Sequence, residues 1–139
     1  MHPLLSGNVL LLEDNELNAS LVAQMLGQVG VDVECASDGA TGLARAITNS
    51  FDLILMDCQM PVMDGYEATL RIRAHEQVSG RPSTPIIAVT AHTLIGDREK
   101  CLSVGMSDFM SKPYTFEQLY SALTRWLPPR PLRDTVKPS

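Results

Sequence analysis

The run Leu53-Ile54-Leu55-Met56, closed by Asp57 and followed by Cys58-Gln59-Met60-Pro61, decides how this chain folds. Four consecutive apolar residues leave no polar face, so the segment reads as a strand covered by protein on both sides. It stops on a carboxylate. Beyond it Pro61 and the pair Asp64-Gly65 punctuate a loop, and the spacing then predicts a helix from Tyr66 to about Glu76. A doubly covered strand that feeds a helix is the repeating unit of a parallel α/β sheet.

The same unit recurs on either side. Upstream, Asn8-Val9-Leu10-Leu11-Leu12 is an apolar run that ends in Glu13-Asp14-Asn15. From Leu17 to Val29 the apolar residues Leu17, Leu21, Val22, Met25, Leu26 and Val29 recur at three and four, which predicts an amphipathic helix with Gly30 as its C-cap. Val31 to Ala36 alternates apolar and acidic residues, the pattern of a strand nearer a sheet edge, and Ser37-Asp38-Gly39 turns the chain into a helix over Ala40–Thr48. Downstream, the polar stretch Gln77 to Pro85 precedes a fourth buried strand, Ile86–Val89, ending at Thr90. A helix over about Asp97 to Val104 is closed by Gly105, a short fifth strand at Phe109-Met110 precedes Lys112-Pro113, and a last helix runs from Phe116 to Leu127, where Pro128-Pro129 stops it. The pattern predicts one domain over residues 8–127, an N-terminal extension over 1–7 and a Pro-rich tail or linker over 128–139.

Five strands alternating with five helices predict an open parallel sheet with helices on both faces. Right-handed crossovers place every strand's C-terminal end on one edge, and the ligand crevice lies outside those ends. The residues found there are Glu13, Asp14, Asp57, Thr90 and Lys112. At about 4 Å and an effective dielectric of 20, each like-charged carboxylate pair costs about 4 kcal/mol, so the crevice calls for a compensating cation. Mg²⁺ suits it, because that ion binds through one or two carboxylates and shares its remaining positions with phosphate oxygens. Lys112 adds a point charge and Thr90 a hydroxyl, both suited to a phosphoryl group, and Asp57 stands where a carboxylate nucleophile would. Taken singly, an acid after a strand is a solvated loop residue or a helix cap, and Thr90 or Lys112 is ordinary surface. Their joint placement at the ends of strands one, three, four and five makes phosphoryl transfer to Asp57 the expected chemistry.

The composition agrees by exclusion. A formal charge of −5 over 139 residues leaves no basic footprint for nucleic acid, and 45% apolar with 19% charged residues is that of a globular domain. No apolar run approaches the ~18 residues of a membrane span, so a cytoplasmic location without membrane contact is expected, whether the domain stands free or is the cytosolic part of a membrane-anchored chain. The three cysteines, Cys35, Cys58 and Cys101, form no Cys-x-x-Cys pair and read as reduced thiols, with Cys58 a packing residue beside the site.

Four motifs together resemble the receiver domain of two-component response regulators: Leu11-Leu12-Glu13-Asp14-Asn15, Leu55-Met56-Asp57-Cys58-Gln59-Met60-Pro61-Val62-Met63-Asp64-Gly65, Ala88-Val89-Thr90-Ala91 and Phe109-Met110-Ser111-Lys112-Pro113. The resemblance covers about Asn8 to Leu127. It implies a flavodoxin-like (CheY-like), doubly wound five-stranded sheet of order 2-1-3-4-5. It implies Mg²⁺, or Mn²⁺, held by Asp14, Asp57 and the backbone carbonyl of Gln59, with Glu13 acting through a metal-bound water. It further implies that Asp57 takes a phosphoryl group from a phosphohistidine while Lys112 and Thr90 contact that group, that Thr90 and Phe109 are switch residues, and that Gln59 and His92 tune phosphate lifetime. Phe109 lacks the hydroxyl of the tyrosine frequent at that position in the family. The wording from Asp57 to Ala68 and from Thr90 to Met106 is similar to receivers fused to hybrid sensor histidine kinases. On that footing the phosphodonor is a histidine kinase domain and the acceptor a histidine-phosphotransfer domain, with the domain a monomer or weak dimer. A stand-alone regulator is the alternative.

As an isolated domain the chain is expected to be a phosphoacceptor rather than an enzyme. The rival of another class is an aspartyl-phosphate phosphatase resembling the haloacid dehalogenases. It is disfavoured because the nucleophile candidate is on strand three, Glu13-Asp14 replaces an Asp-x-Asp pattern, and no length remains for a cap domain. A flavin or nucleotide site is weaker still, since the first strand–helix turn is acidic and lacks glycines.

Overall fold

The computed structural model describes residues 2–60, 63–91 and 95–130. Its strands are β1 (Asn8–Leu12), β2 (Asp32–Ala36), β3 (Leu53–Asp57), β4 (Ile86–Thr90) and β5 (Asp108–Ser111). They alternate with helices α1 (Glu16–Val29), α2 (Gly39–Thr48), α3 (Gly65–Ser79), α4 (Ile95–Ser103) and α5 (Phe116–Thr124). All four strand pairings are parallel, in the order β2-β1-β3-β4-β5. The flavodoxin-like arrangement expected from the sequence is therefore present, with β2 at an edge as its mixed pattern predicts.

Strand alternation divides the core between two faces. Val9, Leu11, Leu53, Leu55, Ile87 and Val89 face one way and meet α1 and α5 through Val22, Leu26, Val29, Leu119 and Leu123. Leu10, Leu12, Ile54, Met56, Ile86 and Ala88 face the other way and meet Ala68, Ile72 and Cys101. Helix starts are fixed by side chains that accept from the backbone N–H three residues on: Asn15, Asp38, Asp64 and Thr115, the last in a reciprocal capping box with Gln118. Gly30 closes α1 with φ 101°, as its spacing predicts, because that left-handed conformation disfavours any Cβ.

Several boundaries and one face depart from the sequence reading. Helix α3 runs on to Ser79, because the next residue able to take a left-handed cap is Gly80 at φ 72°. Helix α5 stops at Thr124 rather than Leu127. The N–H groups of Arg125 and Trp126 reach back only three residues, to Ala122 and Leu123, so the last turn tightens before Pro128. Leu17 and Leu21 do not join the core stripe of α1: they are 71% and 51% exposed. At 100° per residue they point about 145° and 105° away from the mean direction of Val22, Leu26 and Val29, beyond the reach of the sheet. Cys35, on edge strand β2, is likewise exposed rather than buried. Outside the regular elements, Leu5 is buried in the α1/α5 core and forms an antiparallel bridge with Pro129.

Candidate functional site

Register brings the acidic residues to one level. Leu12 pairs with Met56, so Glu13, next along the chain, stands level with Asp57 at the C-terminal edge of the sheet. Asp57 pairs with Val89 and Thr90 with Ser111, which places Thr90 one step and Lys112 two steps further out. The chain turns one way from β1 to reach β2 and the other way to reach β3 and β4, so the crevice lies where strand order reverses. Gly65 closes its floor: its N–H bonds Cys58 O at 3.2 Å, and a Cβ there would lie 2.5 Å from the Asp57 carbonyl oxygen.

Carboxylate oxygens of Glu13, Asp14 and Asp57 all lie within 4.8 Å of one another. Glu13 and Asp57 are buried and Asp14 is exposed, so the group opens to solvent on one side. Lys112 Nζ stands 3.1 Å from Asp57 Oδ2 and 3.5 Å from Glu13 Oε1. Backbone donors fix the acids: the Gln59 N–H reaches Asp57 Oδ1 at 3.0 Å, and the Asn15 N–H reaches Glu13 Oε2 at 3.2 Å. The Gln59 side-chain amide lies 3.4 Å from Thr90 Oγ1, spanning from the β3 end to the β4 end.

The electrostatics follow from this crowding. Burial pushes the Glu13 carboxyl above its usual value; Asp57 adds to the rise, while the Asn15 N–H and Lys112 partly offset it. For Lys112 burial works toward a lower value, but hydrogen bonding and charge from Asp57 and Glu13 prevail and the ammonium is held more firmly protonated. Cys58 is 1% exposed, and burial together with neighbouring Cys101 pushes its thiol up to about 12, which suits a packing role and not a nucleophile.

Of the residues singled out in the sequence, Glu13, Asp14, Asp57, Gln59, Thr90 and Lys112 share the crevice. Phe109 is half-buried, packed against the α2/α3 core, and also lines an open groove with Pro113 and Ser121 between β5 and α5. His92 lies outside the described residues, as does Pro61. Sequence reasoning missed Tyr114. Its hydroxyl feels both Glu13 and Asp57 and is pushed up to about 12, chiefly by burial. It lines a cleft of about 480 Å³ that runs from Glu13 and Lys112 to Leu21 and Met25 on α1. The only signal for Tyr114 in the sequence is its position two residues past Lys112.

The arrangement is suited to a divalent cation and a phosphoryl group: three carboxylates converge, one ammonium balances only part of their charge, and one acid is open to solvent. Comparison with known proteins agrees. The family model for the response regulator receiver domain matches residues 9–124. The signal transduction histidine-protein kinase BarA of Escherichia coli is 41% identical over 124 residues, covering 89% of this chain and 13% of that protein. The chain spans 4% to 15% of the length of the curated relatives it matches. Among solved structures, the receiver domain of sensor histidine kinase PA1611 from Pseudomonas aeruginosa, with a magnesium ion coordinated in its active-site cleft, is 43% identical with a TM-score of 0.78, covering 87% of this chain and 97% of that one. The receiver domain of Ssk1 from Saccharomyces cerevisiae, crystallised with the histidine phosphotransfer protein Ypd1, is 29% identical with a TM-score of 0.82, covering 91% and 90%. The chain belongs to the response regulator receiver domain family.

Proposed function

We propose that Asp57 accepts a phosphoryl group from the phosphohistidine of a histidine kinase domain, in a Mg²⁺-dependent reaction, and passes it to a histidine-phosphotransfer domain. The observation that carries this reading is the convergence of Glu13, Asp14 and Asp57 within 4.8 Å, with Lys112 Nζ 3.1 Å from Asp57 Oδ2. An Asp57 carboxylate oxygen forms the new bond to phosphorus as the phosphorus–nitrogen bond of the donor imidazole breaks, and the imidazole leaves with the electron pair and takes up a proton. Asp14, Asp57 and the carbonyl of Gln59 would hold the cation, with Glu13 behind them, and the ion when bound would neutralise charge on the phosphoryl oxygens. Lys112, already within 3.1 Å of the nucleophile, orients the carboxylate and then follows the transferred group. Thr90 Oγ1, at the end of β4, supplies a hydroxyl to the same group, and its shift toward it frees space for Phe109; Gln59 and His92 set the access of hydrolytic water. The isolated domain transfers its own phosphoryl group and has no other substrate.

The protein partner is supported by the surface beside the site. Leu21, 51% exposed on α1, lines the cleft with Met25, Pro113 and Tyr114 at the mouth of the crevice, and Leu17, 71% exposed, stands one helical turn before it. An apolar strip beside a nucleophile suits a helical donor or acceptor that presents a histidine. The kinase relatives supply the context: receiver segments similar to this one lie within long histidine kinases. No helix among the described residues is long and apolar enough to cross a membrane, and the domain acts on the cytoplasmic side in this reading.

Intact mass after incubation with acetyl phosphate tests the assignment. One phosphoryl adduct is expected with Mg²⁺ and none with chelator or in Asp57→Asn. Undiminished labelling of folded Asp57→Asn would remove Asp57 from its role.

A further inference from the structure

Residues 2–6 lie outside the stretch matched by the receiver family, residues 9–124, yet they hold to the domain at two points. At the first, Leu5 is 2% exposed in the α1/α5 core and its N–H bonds Val29 O at 2.9 Å. Chain residues past α5 close over it: Ser6 N–H bonds Pro128 O at 3.0 Å, Arg130 N–H bonds Leu4 O at 2.7 Å, and the Arg130 guanidinium reaches Gly30 O at 2.7 Å. At the second, the Tyr120 hydroxyl donates to Pro3 O at 2.6 Å. The His2 ring stands edge-on to Tyr120 with centroids 4.4 Å apart, lies 5.4 Å from Phe116, and places Nε2 2.8 Å from Glu117 Oε1.

Phe116, Glu117 and Tyr120 occupy the first turns of α5, immediately after Lys112–Thr115, the loop that brings the ammonium to Asp57 and the Tyr114 ring to the cleft. The segment therefore grips the helix at the end where the site begins. Its grip is uneven. Leu5 is buried, whereas Pro3 and Leu4 are exposed and His2 is half-buried. Segments with few buried apolar contacts and exposed hydrogen bonds open locally while the domain stays folded. Helix α5 keeps its own anchors in the sheet, Leu119 and Leu123.

We propose that residues 2–6 form a releasable strap that couples the N-terminal segment of the domain to the Lys112 loop through the first turns of α5. With the strap seated, the start of α5 and the loop before it are braced. With the strap released, the loop loosens, and an anion beside Lys112 binds more weakly. Coupling of this kind is reciprocal, so an anion bound at Asp57 must seat the strap more firmly by the same factor. The effect on the site rests on the phosphoacceptor reading above, and the experiment separates the two.

Hydrogen exchange is followed by NMR on the full chain with Mg²⁺, with and without beryllofluoride as the phosphoryl mimic. The amides of Leu5, Ser6 and Arg130 are expected to open on the order of 100-fold more often than that of Leu55 in β3. Tyr120→Phe, which removes only the bond to Pro3, should raise their opening about 5-fold. Beryllofluoride should lower it at least threefold, and removal of residues 1–6 should weaken beryllofluoride affinity by that same factor; Leu5→Ala, which loosens the anchor, serves where the shortened chain does not fold. Strap amides that exchange only with the whole domain, or that are unchanged when fluorine NMR shows beryllofluoride bound, overturn the strap and leave the phosphoacceptor reading standing. A folded, Mg²⁺-loaded protein that binds no beryllofluoride at all overturns both.

Discussion

Lys112→Met isolates the electrostatics of the site. Lys112 Nζ stands 3.1 Å from Asp57 and 3.5 Å from Glu13. At an effective dielectric of 20, each attraction is worth about 5 kcal/mol before desolvation. The Glu13 and Asp57 oxygens, no more than 4.8 Å apart, repel by at least about 3.5 kcal/mol on the same scale. Methionine keeps the length of the side chain and removes the charge, so two buried carboxylates are left facing each other. The lysine side chain is 27% exposed and the carboxylates 4% and 7%, so screening trims the effect without abolishing it. The expected loss is about 2–4 kcal/mol of unfolding free energy at pH 7 in chelator, at or below the range for breaking a buried ion pair. Urea unfolding followed by the fluorescence of Trp126, the single tryptophan, measures it. Two further outcomes are tied to the cause: added Mg²⁺ and the second substitution Asp57→Asn should each recover about half of the loss or more. A loss under about 0.5 kcal/mol, or one that neither Mg²⁺ nor Asp57→Asn relieves, would refute the idea that Lys112 stands in for a cation.

Other substitutions separate the remaining claims. Glu13 has a folded-state pKa raised above its unfolded value, so its contribution to stability is fully present below about pH 4.5 and is lost as pH rises through the higher folded value. Glu13→Gln should therefore unfold at higher temperature than the parent at pH 7 without metal, and that advantage should vanish in scans near pH 4. Leu17→Ser and Leu21→Ser should each change stability by no more than about 0.5 kcal/mol, while Leu26→Ala, fully buried, should lose about 2–5 kcal/mol in the same denaturant titration. The two exposed leucines should matter for transfer from a phosphorylated histidine kinase domain and not for labelling by acetyl phosphate; equal loss in both assays would remove them from docking. Gly65→Ala places a methyl 2.5 Å from the Asp57 carbonyl oxygen and should destabilise by about 1–3 kcal/mol while slowing adduct formation in the mass assay.

The strands were legible because a parallel sheet covered on both faces demands continuous apolar runs, and Leu53–Met56 and Ile86–Val89 have no other comfortable place. The start of α2 was legible from Asp38, whose short polar side chain caps by chemistry that acts within three residues; Asn15 and Thr115 cap α1 and α5 in the same way but were not singled out in the sequence. The α1 stripe misled because periodicity marks every apolar residue on a broad arc, while the width of the sheet decides how much of that arc is covered. Leu17 and Leu21 fall outside it, and nothing within α1 could say so. The acids of the site were legible through strand ends alone, since parallel topology sends all those ends to one edge. Tyr114 was not, because its place depends on how the loop after Lys112 packs across to α1. The strap was equally hidden: Leu5 reads as terminal until Val29 and Pro129 are found on either side of it.

Charge counting within the crevice explains why the cation should be divalent. Glu13, Asp14 and Asp57 carry three formal negative charges and Lys112 one positive, leaving −2 in a space no wider than 4.8 Å between ligand atoms. A monovalent ion leaves the group net negative and repels an incoming phosphoryl anion. A divalent ion held by Asp14 and Asp57 would bring it to neutrality and so remove the repulsion toward an anion approaching the Asp57 carboxylate. The lysine cannot do this alone, because its ammonium is already shared between Asp57 and Glu13. In the proposed phosphorylated form, with about −2 charge on Asp57, the pull on Lys112 from that side would increase and its hold on Glu13 would weaken. In the proposed reaction the two cations would have separate tasks: the metal would offset charge where the phosphoryl group enters, and Lys112, which sits on the loop leading into α5, would couple its arrival to that helix.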